Sequence, residues 1–191
     1  MSRVIAFGWA LTAAFCLLGM GAVAFVWSGR YNIAADDHHS AIVLAALEKL
    51  RERSIAYRAS GIEVPDLQDP LKVVDGADRY ATLCVGCHLA PGVTTSEIRP
   101  GLYPHPPNLA QGKVLDAQRA FWVIKHGIKM SAMPAWGKTL SDAQIWDLVA
   151  FLRKLPDMSE TTYRQLLEGT VSAPASVDYD DLTRAGAGRA S

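Results

Sequence analysis

Residues 80–92, YATLCVGCHLAPG, hold two of the three cysteines of the 191-residue chain and place a histidine directly after the second. Four readings of that spacing compete: a disulfide, a zinc knuckle, a redox dithiol, and the covalent anchor of a haem. A zinc knuckle needs about four ligands, usually two cysteine pairs, and the third cysteine, Cys16, lies far upstream in an uncharged apolar run. A disulfide between Cys84 and Cys87 leaves His88 without a role. A thioredoxin-like dithiol expects a βαβ setting, whereas the surrounding sequence reads as helix.

The fourth reading accounts for all three residues. C-x-x-C-H is the attachment signature of a c-type haem. Cys84 and Cys87, about one helical turn apart, can each form a thioether to a vinyl group, and His88 then lies under the iron as its proximal ligand. A second axial ligand is expected from Met133 in SAMPAWG, 131–137. Its thioether is soft and favours reduced iron, and Pro134 stiffens the loop that carries it. Met130 is the rival, expected instead to touch the ring edge. His105 and His126 read as surface or loop histidines.

Outward from this stretch the chain reads as helices joined by irregular segments. Residues 4–27 carry no charge. As a helix this run is long enough to cross a hydrocarbon core of about 30 Å, with Trp9 and Trp27 near its ends and Arg3 and Arg30 outside them. A cleaved signal peptide is the alternative, with AVA at 22–24 as a cleavage site, but its apolar core is normally about 7–15 residues. Residues 41–60 form an amphipathic helix, capped by Ser40, with Val43, Leu44, Leu47, Leu50 and Ile55 on its apolar side. Gly61 stops it, and IEVPDLQDP, 62–70, continues as an extended linker.

A helix opens near Asp75 and runs into the cysteine motif. Residues 89–112 contain five prolines, and a structureless loop of that length is expected only where it wraps something. Residues 116–127 form a helix ended by Gly127. Residues 140–156 form the clearest one: Ser141 caps it, Asp142 lies in its first turn, and Ile145, Leu148, Val149 and Leu152 make its apolar stripe. A short helix is expected around 159–168, and disorder from Ser172 onward. The domain plan is an anchor at 1–30, a helix and linker at 31–71, a haem domain at 72–156 and a partly disordered extension at 157–191.

These motifs resemble the class I c-type cytochromes over residues 72–156. GADRYATLCVGCH, 76–88, is similar to that family's N-terminal helix, with Gly76 and Tyr80 packing on the C-terminal helix. DLVAFLRKL, 147–155, is similar to that closing helix, with Leu148 and Phe151 at the packing positions. MPAWG matches the methionine loop. PPNL, 106–109, resembles the family's glycine-proline-asparagine-leucine stretch, with Pro106 where glycine is usual. By that match the carbonyl of Pro107 accepts a hydrogen bond from the Nδ1–H of His88.

The resemblance implies an all-α class I cytochrome c fold behind an N-terminal transmembrane helix. It implies one covalently attached haem c, with His88 and Met133 as iron ligands. With both bound, the iron moves single electrons and no catalytic activity of the chain's own is expected. The implied location is the bacterial inner membrane, single-pass, with the haem domain in the periplasm. Partners are redox proteins, membrane-bound and acidic at the docking face, because Lys125, Lys129 and Lys138 surround the methionine loop and residues 71–156 carry ten Lys/Arg against six Asp/Glu. Zero net charge argues against nucleic acid. Two other roles stand beside the free carrier: the cytochrome subunit of a larger membrane-bound oxidoreductase, and a ligand-sensing or catalytic haem protein.

Overall fold

The computed structural model of the protein describes residues 2–114 and 116–171. The tail expected to be disordered from Ser172 lies outside the described residues. The chain divides into two compact units, Met1–His38 and His39–Ser191.

The first unit is helix α1 (Ser2–Trp27) followed by a short polar exit. Its 26 residues span about 39 Å, and Arg3–Trp27 is long and apolar enough to cross a membrane, with none of its apolar window buried inside the protein. The hydroxyl of Thr12 donates to the Gly8 carbonyl, 3.1 Å away, and so finds a partner within the helix itself. Gly29, at φ +64, turns the chain out of the helix.

The second unit is all helical, with no strand among the described residues: α2 (Ala41–Ala59), α3 (Pro70–Leu83), α4 (Val85–His88), α5 (Ala117–His126), α6 (Asp142–Leu152) and α7 (Glu160–Val171), with single 3-10 turns at Arg99–Gly101, Trp136–Lys138 and Leu155–Asp157. Helix α3 starts well before the expected Asp75. Asp69 accepts from the Leu71 N–H at 2.9 Å and Pro70 takes the first turn. Proline suits that position, since the N–H it lacks would be unpaired there anyway. Helix α6 opens on a full capping box, the Ser141 hydroxyl accepting from Gln144 N–H and the Gln144 side chain accepting from Ser141 N–H.

Helices α3 and α6 share the largest interface. Gly76 makes their crossing close: a Cβ there would sit 2.1 Å from the Asp147 carbonyl oxygen. Next to it the Tyr80 and Phe151 rings pack at 5.1 Å. Tyr80, Ile145, Leu148, Val149, Phe151 and Leu155 are fully buried and form the centre of the core. Helix α5 joins through Phe121, stacked on Trp146 at 4.2 Å.

The short helix expected around 159–168 is α7, which buries Tyr163 and Leu166 in the same core. The helix and linker pack on the domain through several points: Ile55, Ala59 and Leu67 are buried, Glu52 pairs with Arg119, and Gln118 donates to the Ile62 carbonyl at 2.6 Å. Within α2, Ser40 holds the N-cap position without a side-chain cap bond, and Leu50 points out, 66 % exposed. The apolar periodicity of α2 is split between two faces, and only one of them meets the domain.

Candidate haem-binding site

Helix α3 stops at Leu83, and the chain re-enters a single helical turn, α4, that carries Val85, Gly86, Cys87 and His88. A turn this short cannot satisfy its own carbonyls. Four consecutive ones are satisfied from four different places. Ser96 donates to Gly86, Arg99 to Cys87 at 2.8 Å, the Leu109 N–H to His88 at 3.1 Å, and the Tyr80 hydroxyl to Leu89 at 2.6 Å. Leu89 itself adopts φ +61, which a branched side chain rarely does. Its burial and the bond from Tyr80 hold it there. Burial also raises the Tyr80 hydroxyl well above its usual pKa, so it remains a donor.

The loop 89–112 is fastened to this turn. Arg99 reaches Pro106 as well as Cys87, donating to the Pro106 carbonyl at 2.7 Å. The next carbonyl, that of Pro107, lies 3.0 Å from His88 Nδ1. A carbonyl only accepts, so Nδ1 carries the proton and Nε2 keeps its lone pair, the form in which imidazole binds a metal. Burial lowers the His88 pKa, the bond to Pro107 opposes that, and the nearby Arg99 charge adds to the lowering. The ring is thereby kept neutral, as a ligand must be.

Cys84 and Cys87 are not joined to each other. Burial, with Cys87 beside it, pushes the Cys84 thiol up to about 12. A redox dithiol needs the opposite shift, toward thiolate, so the dithiol reading fails on electrostatics as well as on fold.

The methionine loop is held against the end of α5. The Ile128 N–H donates to the Met133 carbonyl at 3.2 Å, and Ser131 bridges Ile128 and Met133. Gly127 ends α5 at φ +66, and a Cβ on it would meet the Met133 carbonyl oxygen at 2.6 Å and Pro134 at 2.7 Å. Met133 is half-buried and packs on the core, whereas Met130 is 81 % exposed. Replacing Gly127 with alanine is expected to push this loop off α5, since it adds both a left-handed-φ penalty and a backbone clash. The check is the near-infrared sulfur-to-iron charge-transfer band of the oxidised holoprotein, which should weaken or vanish while the Soret band remains.

Around the turn and the loop lies a set of apolar side chains that touch the core without being covered: Val85, Leu109, Ala110, Met133, Trp136 and Leu140. Such a half-finished wall fits a large flat apolar group laid against it. With two thiols and a neutral imidazole beside it, the donor set suits a covalently bound haem.

The lysines differ from one another. Lys125 is ion-paired to Asp142 at 2.7 Å and lies 5.4 Å over the Phe121 ring. Lys129 and Lys138 are exposed. Sequence reasoning missed Ser96 and Arg99, which sit in a proline-rich loop with no periodicity to read. It found Tyr80 only as a packing aromatic, and a hydroxyl on a core aromatic was the one available signal.

A haem-binding electron-transfer module is the class that this fold and site define. Residues 72–152 match the family model described as cytochrome C oxidase, cbb3-type, subunit III. They form a c-type cytochrome domain of the all-α class I fold. Comparisons with curated proteins and with solved structures gave no match.

Proposed function

We propose that the chain is a membrane-anchored periplasmic cytochrome c with a single haem, carrying single electrons between respiratory-chain components. The observation that carries this is His88, neutral and aimed by the Pro107 carbonyl, beside two unpaired thiols, with no cluster of three or more His, Cys, Asp or Glu side chains placed to hold a metal among the described residues. Cys84 and Cys87 would hold the haem through thioethers, and His88 and Met133 would take the two axial positions. The haem supplies one-electron chemistry; the protein sets its potential, exposure and docking. With both axial positions taken by side chains, substrate has no place to bind, which disfavours a sensing or catalytic role. Helix α1 supports the anchor by its length and composition.

The test is twofold. The mature chain should carry the mass of one haem that survives denaturation. The charge-transfer band should be lost in Met133→Ala and kept in Met130→Ala. Loss in Met130→Ala instead would reassign the ligand, and loss in neither would overturn the carrier role.

A second reading is favoured by the matched family, whose description names an oxidase subunit: the chain would serve as the electron-transfer subunit of a larger membrane-bound oxidoreductase. Stoichiometric partner chains in the detergent-extracted native complex would support it.

Exposed Lys129 and Lys138 fit docking to an acidic partner. Electron transfer to that partner is expected to slow steeply with ionic strength, because exposed charges are screened within about 10 Å at 0.1 M salt. Lys125 should contribute little, since Asp142 offsets it. Stopped-flow oxidation across a salt series checks this, and a flat profile removes the lysines from docking.

A further inference from the structure

We infer that α2 is a membrane-surface helix, its outward stripe of Ile42, Ala46, Leu50 and Tyr57 seated on the anionic phospholipid of the bilayer that holds the chain. At 100° per residue these four side chains, with Arg53, fall on one face. Ile42 is 84 %, Leu50 66 % and Tyr57 82 % exposed. That is a costly face to leave in water, and the domain does not cover it: α2 packs inward through Leu47, Ile55 and Ala59.

Charge on α2 is sorted the same way. Its two carboxylates, Glu48 and Glu52, lie toward the packed side, where Glu52 pairs with Arg119. Lys49 borders the apolar stripe and Arg53 lies within it, both exposed, and no carboxylate falls among them. Apolar residues interspersed with cations, with no acid between them, match the interface of an anionic bilayer. Long basic side chains there bury their stems and keep their charge at the headgroups.

The tether makes a modest stripe sufficient. Residues 28–40 join α1 to α2, and fully extended they reach at most about 45 Å. Every encounter of α2 with lipid is therefore intramolecular, at high effective concentration. The contact presupposes that α1 spans the bilayer, as proposed above.

The test uses the full haem-loaded chain in phosphatidylcholine vesicles, with and without phosphatidylglycerol. In a Cys16→Ser background, nitroxide labels are placed at Leu50→Cys and Tyr57→Cys, with Gln165→Cys, on an exposed position of α7, as control. Collision with oxygen, which concentrates in lipid, is compared with collision with an aqueous nickel chelate. Labels at 50 and 57 should show a severalfold higher oxygen-to-nickel ratio than the control, higher still with phosphatidylglycerol, and Lys49→Glu with Arg53→Glu should abolish that increment. Equal ratios at all three positions would overturn the proposal. So would protection from both probes at 50 and 57, which would make the occupant a second copy or another protein. Vesicle flotation is scored separately: a chain that fails to float refutes the anchor, whereas one that floats with water-like labels refutes only the α2 contact.

Discussion

Gly76→Val is expected to remove a large share of the stability of the second unit. The ideal Cβ of residue 76 lies 2.1 Å from the Asp147 carbonyl oxygen, 2.7 Å from its carbon and 2.8 Å from the Phe151 Cβ. These are backbone atoms and a Cβ, none of which can swing aside as a flexible side chain would. Helices α3 and α6 would have to part by more than an ångström, and they carry the centre of the core. A loss of about 4 kcal/mol or more follows, from a total that for such domains is about 5–15 kcal/mol. Denaturant unfolding of the detergent-solubilised holoprotein, followed at the Soret band, reads it as a large fall in midpoint. Gly86→Ala is the control. Beyond its chain neighbours and its own helical turn, nothing lies within 4 Å of the Cβ it would add, so its midpoint should match the wild type. A wild-type midpoint for Gly76→Val would mean that the α3–α6 crossing is wrong.

Serine at both 84 and 87 should yield a chain with no haem bound after denaturation and with a loosened domain. The hydroxyl of serine does not form the thioether that the thiol does, so covalent attachment is lost outright. The structural consequence comes from the uncovered wall. Val85, Leu109, Met133, Trp136 and Leu140 are only partly buried by protein atoms, and each gains roughly 1 kcal/mol when its cover is completed. Without that cover the variant should unfold at lower denaturant and over a broader range, and bind hydrophobic dyes. Single substitutions retain one linkage and should be intermediate. A double variant as stable and as sharply cooperative as the wild type would show that the wall needs no cofactor to complete it.

Much of this was legible in the sequence because it rests on local spacing. The Cys84–Cys87–His88 triplet, the cap at Ser141 and the stop at Gly127 are set by neighbours one or two turns away, whereas the packing roles of Gly76, Tyr80 and Phe151 join residues about 70 positions apart and came through family resemblance. The placement of Pro107 came through family resemblance, since no local rule puts a carbonyl 19 residues downstream beside His88. What escaped was tertiary. Arg99 joins the Cys87 and Pro106 carbonyls, and nothing in its flanking residues announces that. Helix α2 misled for a different reason: its apolar residues cover more than one face, so periodicity gave a helix but not the side that packs. Pro70 reads from sequence as the end of a linker but forms the first turn of α3; the same residue type serves both roles.

Helix α7 sets how this module can be moved. The family match ends at residue 152, yet Leu155, Tyr163 and Leu166 are buried beyond it, and the Tyr163 ring sits 6.1 Å from Phe151. Gly92, just past the haem motif, leaves room for the Glu160 side chain at the start of that helix. A graft cut at the family boundary would carry the cysteine turn and the methionine loop but open one wall of the hydrophobic interior to water. The smallest portable piece for fusion or domain exchange therefore extends through residue 171.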